Sequence, residues 1–362
     1  MEGRALISNS DDLLQKIKGF TRSLLEDICH NGQLPSVVLD RFRSYCSRPT
    51  GNCECGFDLR NGTEVLSLER KGCRSRLDVM LRVLLVIQKL LQENKHISKR
   101  DIYYMHPSVF SSQGIVDQAI NDLCVLLKCS RHKLNVVSVA KGLVMGWLRF
   151  HEAGRKYDCM KRLNTGYPIP VRVEEVKDIV SFARYILVVE KETVFQRLAN
   201  DGFCDRNHCI VLTGRGYPDV ATRRFLRLLV ENLMLPAYCL VDCDPHGFDI
   251  LATYRFGSMQ MAYDTELLRV DELRWLGVFP SDCTKYNLPD RCLLALTPED
   301  QKKTESMLLR CYLHREARQW RAELEYMLQR GLKFEIEALS VSSISFLSDV
   351  YIPSKIHDEA YI

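Results

Sequence analysis

The sequence predicts a mixed α/β protein in two parts, a mainly helical part followed by a parallel α/β part. Up to about residue 127, apolar residues recur at the three-to-four spacing of amphipathic helices. From Tyr185 onward, short apolar runs alternate with helical stretches, the pattern of strands buried on both faces and joined by helical crossovers. A length of 362 residues agrees with two domains, since one commonly takes roughly 100–200. Hydrophobic residues make up 46% and charged ones 27%, and no apolar run reaches the ~20 residues needed to cross a bilayer, so a globular protein without a membrane span is expected. The opening MEGRALISNSDDLL lacks a secretory apolar core, so export is not expected. Fifteen cysteines, odd in number and scattered from Cys29 to Cys311, read as reduced intracellular thiols rather than a disulfide framework.

Residues 10–29 place Leu13, Leu14, Ile17, Phe20, Leu24, Leu25 and Ile28 on one stripe behind Ser10 as a helix cap, which predicts an amphipathic helix. Residues 46–75 show no sustained period and read as a loop or arm. Within it, Cys53-Glu54-Cys55, with Cys46 and Cys73 nearby, lacks the CxxC spacing and any histidine, so free thiols are expected rather than zinc. Residues 77–93 are apolar nearly all round, a buried helix. Ser98 precedes Asp101 by three, as in a capping box, so a helix should start near Lys99 and stop before Pro107. A third stripe, Ile115 to Leu127, ends at the Lys128–Lys133 cluster, and LNVVSVAKGLVMGWLRF then reads as two strands around a Lys141-Gly142 turn. Three helices and a basic hairpin make a winged-helix arrangement, in which one helix enters the major groove and the wing touches backbone. The expected boundaries are an amino-terminal helix and arm at 1–75, a winged-helix domain at 76–152, a linker at 153–180 and the α/β domain at 181–362.

Net charge is +4, which alone favours no partner. Between Lys128 and Lys156, seven Lys/Arg stand against one acid, a net +6 that leaves −2 for the rest. Such a stretch suits a phosphate backbone, although charge runs are commonly only solvated faces. The predicted strand ends carry the other signal, because ligands of open parallel sheets gather at the carboxyl ends of strands. YILVVE ends in Glu190, CIVLT runs into Gly214-Arg215-Gly216, and AYCLVDCD ends in Asp242-Cys243-Asp244 before Pro245. Asp242 and Asp244 point the same way in a strand and, with Glu190, form an all-oxygen cluster suited to Mg²⁺. Asp244 alone would be explained as the cap of the helix at Pro245. The Gly-Arg-Gly turn opens a helix bearing Arg223, Arg224 and Arg227, and can approach a phosphate. A receiver-like phosphorylation domain also collects acids at strand ends, but would not explain these arginines or the basic stretch. The candidate DNA-contact residues are Lys128, Arg131, Lys133, Lys141, Arg215 and Arg223.

SKRDIYYMHP, VVEKETVFQRL, TGRGYPD and VDCDPHG, in this order and spacing, resemble the topoisomerase VI A-subunit family, which includes the meiotic DNA double-strand-break transesterases (Spo-eleven). The resemblance runs from about Leu77 to the end, through YRFGSMQMAYD, RWLGVFPSD and KFEIEALS, and is strongest to the branch of the first plant paralogue. Before Leu77 it covers the first helix, and the following arm more loosely. It implies a winged-helix domain of the catabolite-activator type joined to a Toprim domain. The implied reaction is transesterification, with a tyrosine attacking a phosphodiester to leave a 5′-phosphotyrosyl link and a free 3′-hydroxyl. Carried onto this chain, the nucleophile is Tyr104, because family members can carry Phe at the position of Tyr103, which is then structural. A phenol has a pKa of about 10 and needs help to lose its proton. Arg100, one helical turn before Tyr104, can face the same phosphate. Glu190, Asp242 and Asp244 are implied to hold Mg²⁺, stabilising charge on the phosphate and the departing 3′ oxygen. His106 departs from the pattern of other branches, but at two residues from Tyr104 it faces away on a helix, so packing is preferred to general-base action.

The resemblance also implies double-stranded DNA as substrate, a nuclear location, a topoisomerase-VI-B-like subunit that carries the ATPase, and a second A-type paralogue in a heterodimer or heterotetramer. The tyrosine of one protomer would work with the acids of the other. The helix at 10–29 is the expected docking element for the B-like subunit. The competing reading is a non-catalytic, DNA-binding architectural subunit of the same break-forming complex. The presence of Tyr104, Glu190, Asp242 and Asp244 together favours the enzyme.

Overall fold

The computed structural model describes residues 2–30, 34–42, 45–46, 60–137, 140–162, 164–258 and 264–362. Cys53 and Cys55, for which free thiols were expected, lie outside them. The described residues divide into two compact units, one drawn from 1–43, 56–139 and 260–266, the other from 44–55, 140–259 and 267–362.

The first unit opens with α1 (Glu2–His30), whose Leu13 and Ile17 are buried. Two antiparallel strands follow, β1 (Ser36–Phe42) and β2 (Arg60–Ser67), in register from Ser36 opposite Ser67 to Asp40 opposite Thr63, with a shift before Phe42 pairs with Arg60. Over 60–67 this pairing corrects the expectation of a loop or arm at 46–75, of which residues 47–59 lie outside the described residues. The period-two signal was present but short: Val37 and Leu39 are buried while Val38 between them is exposed. Next comes α2 (Lys71–Glu93), six residues longer at its start than the apolar stretch beginning at Leu77 predicts. That extra turn and a half is polar and carries Arg76, which grips Asp122 through two bonds of 2.8 Å and reaches Glu64 at 3.1 Å. Strand β3 (Ile97–Ser98) leads into α3 (Lys99–Met105), and α4 (Gln113–Leu127) follows. Leu77, Met80, Val83 and Ile87 of α2 form one core with Ile102 of α3 and Val116, Ile120 and Leu123 of α4.

Strand β4 (Val136–Val137) pairs in parallel with β3, and not with the strand after Lys141. The expected basic hairpin is therefore not formed among the described residues. Strand β5 (Leu143–Gly146) belongs to the second unit, where it runs antiparallel to a strand of the main sheet. Gly142 is not a turn residue but a point of close approach: a Cβ there would lie 2.6 Å from Ile169 Cδ1 and 2.9 Å from the Thr213 carbonyl.

The second unit continues with β6 (Leu148–Glu152), β7 (Arg155–Asp158), β8 (Tyr167–Pro168) and β9 (Val176–Ser181). The stretch 153–180 is thus built into this unit and is not a free linker: β7, β6 and β9 form a three-stranded sheet, and β8 is an edge strand of the main one. The alternation expected from Tyr185 is present, with β10 (Tyr185–Val189), α5 (Glu192–Asn200), α6 (Phe203–Asn207), β11 (Cys209–Thr213), α7 (Val220–Leu233), β12 (Ala237–Leu240), α8 (Pro245–Phe256) and β13 (Arg274–Gly277). The six-stranded order is β13-β12-β10-β11-β5-β8, with β13, β12, β10 and β11 parallel. Strands β10 and β11 are buried at every position, as strands covered on both faces must be. Among the described residues no helix is long and apolar enough to cross a membrane.

Candidate functional site

Helix α3 is only seven residues long and is held at its start by a capping box. Ser98 accepts the Asp101 N–H, and the Asp101 carboxylate accepts the Ser98 N–H at 2.8 Å. Ile102 faces the core and is fully buried. The neighbouring tyrosines divide by environment: Tyr103 is half-buried against the core of the first unit, whereas Tyr104 is 63% exposed. Their rings meet edge to face at 5.1 Å, so Tyr103 braces the ring of Tyr104. Arg100 is exposed one turn earlier, and His106 is exposed with its ring 6.1 Å from that of Phe110.

The acids lie at the carboxyl edge of the parallel sheet in the second unit. Glu190 follows β10 directly, and the Asp242 N–H donates to its Oε2 at 2.9 Å. Asp242, two residues beyond β12, accepts the Ile336 N–H on Oδ1 at 2.9 Å. Asp244 caps α8, accepting the Gly247 N–H at 2.6 Å, with Pro245 in the first helical turn. It is a capping residue and a member of the cluster at once. Gly247 permits the crowding: a Cβ there would stand 2.5 Å from the Asp242 carbonyl and 2.9 Å from Glu190 Oε2. Burial, reinforced by the Asp242 charge, pushes the Glu190 carboxyl up to about 8, and burial likewise raises Asp242 to about 6. These carboxylates are held where their own charge is unwelcome.

One cation is already there. Lys191 Nζ lies 2.9 Å from Asp242 Oδ2, 3.1 Å from Glu335 and 3.1 Å from Glu337. Lys191, Glu335, Glu337 and Gly247 were not singled out from the sequence. VVEKE and KFEIE contain three of them, but nothing local in the chain says that Lys191 and Glu337, 146 positions apart, share a site. Among the described residues no group of three or more acidic, histidine or cysteine side chains stands as a ready-made metal cage. The donor set nevertheless fits a hard cation. It is all oxygen, each backbone bond occupies one oxygen of a carboxylate, and the Lys191 ammonium stands in for positive charge.

The Gly214-Arg215-Gly216 turn is pinned to the same strand end. The Gly216 N–H and the Thr213 hydroxyl both donate to the Glu190 carbonyl, at 2.9 and 3.2 Å. Arg215 is exposed and pairs with Glu192 at 2.8 Å, and the Lys141 ammonium donates to the Arg215 carbonyl at 3.1 Å. Lys128 and Lys133 are exposed on the first unit. Two candidates are corrected: Arg131 is 6% exposed and donates to Asn121 at 2.8 Å, and Arg223 is 2% exposed and donates to the Leu268 carbonyl, so both serve the interior. The basic stretch 128–156 is divided between the two units and is not one wing.

Comparison with known proteins gives concordant matches. The family model for the Toprim domain of the topoisomerase 6 A subunit and Spo11 matches residues 185–356, and that described as Type IIB DNA topoisomerase matches residues 75–136. The chain is 65% identical to a meiotic recombination protein SPO11-1 of Arabidopsis thaliana over 359 residues, 99% of either chain. It is 35% identical to a human meiotic recombination protein SPO11 over 358 residues, 98% of this chain and 89% of that one. Against the A-type subunit of a DNA topoisomerase 6 from Arabidopsis thaliana, identity is 39% over 284 residues, 78% of this chain and 66% of that one. With Toprim acids at the strand ends and relatives matched along its whole length, the chain belongs to the family formed by Spo11 and the topoisomerase VI A subunits.

Proposed function

We propose that this protein is a topoisomerase-like DNA transesterase that makes the double-strand breaks initiating meiotic recombination. The observation that carries the reading is the division of labour in α3: Tyr103 packs, while Tyr104 is presented to solvent from a capped helix. Tyr104 attacks a backbone phosphate, forming the bond from its phenolic oxygen to phosphorus as the bond to the 3′ oxygen breaks. The product is a 5′-phosphotyrosyl link and a free 3′-hydroxyl. Arg100, on the same exposed stretch, orients that phosphate. Toprim domains generally bind metal, and Glu190, Asp242 and Asp244 would hold Mg²⁺, which supplies positive charge for the phosphate and the departing oxygen.

Two A-type chains are needed to cut both strands, the tyrosine of one serving the acids of the other, and a second A-type paralogue is the proposed partner. A topoisomerase-VI-B-like subunit completes the complex in the nucleus, docking on α1, whose Leu25 and Ile28 remain exposed beside its buried residues. The first unit is the DNA-binding half, a winged-helix relative lacking the wing expected at Lys141-Gly142. Asp242→Ala in the assembled complex tests the metal reading. Cleavage should be lost while DNA affinity, carried mostly by Lys and Arg, changes little. Cleavage at the parental rate would overturn it.

A further inference from the structure

We propose that Lys191 is a resident cation of the acidic cluster, seated on Asp242 while no divalent ion is bound and displaced from it when one binds. The inference rests on the metal reading above and adds what that site must do to load. Asp242 cannot turn freely, because its Oδ1 is fixed by the Ile336 N–H at 2.9 Å. The oxygen left for an ion is Oδ2, and this is the one that Lys191 holds at 2.9 Å. Glu190 and Asp244 each also spend one oxygen on a backbone N–H, which leaves each of them one oxygen for an ion. A divalent ion and an ammonium on one carboxylate oxygen repel, and the ion carries twice the charge.

The displaced ammonium has somewhere to go. Glu335 and Glu337 already bind it at 3.1 Å each, and they flank Ile336, the residue that fixes Asp242. One three-residue segment thus orients the metal ligand and keeps the lysine within reach. Lys191 is 25% exposed and Glu335 63%, so the exchange opens no buried core. Lys191 is a positioning residue. It neutralises the cluster in the metal-free protein, and its removal should tighten metal binding rather than weaken it.

The test uses the full chain with Mn²⁺ alone, whose free concentration is read by electron paramagnetic resonance, together with thermal unfolding at zero and saturating metal. Lys191→Met should bind Mn²⁺ at least about tenfold more tightly than the parent. It should also unfold at a lower temperature without metal and gain more stability on loading. Lys191→Arg, which keeps the charge, should return affinity to near the parental value. A clamp between α5 and segment 335–337 with no link to metal would lower stability and leave affinity unchanged, and that result overturns the inference. Should Lys191→Met fail to fold, trace acetylation of the parent chain decides: Lys191 should react faster with Mn²⁺ than without it, and equal rates overturn the inference. If the parent chain binds no Mn²⁺, the metal reading itself falls, and this inference with it.

Discussion

Gly247→Ala probes the packing that lets the acidic cluster exist. The added Cβ would meet two backbone atoms, the Asp242 carbonyl oxygen at 2.5 Å and the Asp242 nitrogen at 3.0 Å, and the Glu190 carboxylate at 2.9 Å. Backbone cannot step aside as a flexible side chain can. Overpacking of this kind costs about 1–3 kcal/mol. Moving residue 242 also opens its bond to the Glu190 carboxyl, worth about 0.5–1.5 kcal/mol. The better helix propensity of alanine returns only about 1 kcal/mol. The balance is a loss of about 2 kcal/mol, or roughly 4–8 °C in Tm for a unit of this size. Gly114→Ala is the control, since the nearest atom to its Cβ is Ser112 Oγ at 3.8 Å. Thermal unfolding of both variants provides the comparison, and a Gly247→Ala protein with parental Tm would refute the packing argument.

The remaining predictions concern the cap, the corrected arginines and an acid-sensitive pair. Ser98→Ala removes the capping box of α3 and should cost about 1 kcal/mol in the unfolding of the first unit; no change would contradict the cap as its organiser. Arg131→Ala should destabilise by about 1–3 kcal/mol through its lost interior bond. Lys128→Gln and Lys133→Gln should stay within about 0.5 kcal/mol of the parent and each reduce the salt dependence of DNA affinity by about one ion; the reverse pattern would restore Arg131 as a surface contact. Burial pushes the Asp249 carboxyl up, but Arg310 at 2.8 Å, Tyr217 at 2.8 Å and Lys303 at 3.1 Å outweigh it and hold it below the ordinary 3.8. Its folded form therefore binds a proton less readily than its unfolded form, so this contribution is present above about pH 4 and lost as pH falls through the folded value. Asp249→Asn should flatten the fall of Tm between about pH 5 and 2, and an unchanged acid slope would contradict the pairing.

The helices of the first unit and the parallel sheet of the second were legible because each repeats a short signal. The α2 and α4 stripes bury their apolar faces, and YILVV and CIVLT are covered on both sides. The Ser98–Asp101 box placed the start of α3, and its apolar Ile102 and half-buried Tyr103 leave Tyr104 as the exposed member of the pair. What was not legible depends on partners distant in sequence. The Lys141-Gly142 turn was inferred from two adjacent strand-like runs, yet β4 pairs with β3 and β5 with β11. The glycine between them answers to Ile169 and Thr213, which no local window includes. Arg131 and Arg223 look like their exposed neighbours in a charge count, and only packing separates them. The strand-end acids were visible one by one. Lys191 reaching from the start of α5 to Glu335 and Glu337 was not, because that closure is made by tertiary structure.

The most direct test of the central claim is recovery of protein covalently joined to DNA 5′ ends from meiotic cells expressing the parent chain, Tyr104→Phe or Tyr103→Phe. The account predicts adducts from the parent and from Tyr103→Phe, and none from Tyr104→Phe. Adducts persisting in Tyr104→Phe at the parental level would contradict it.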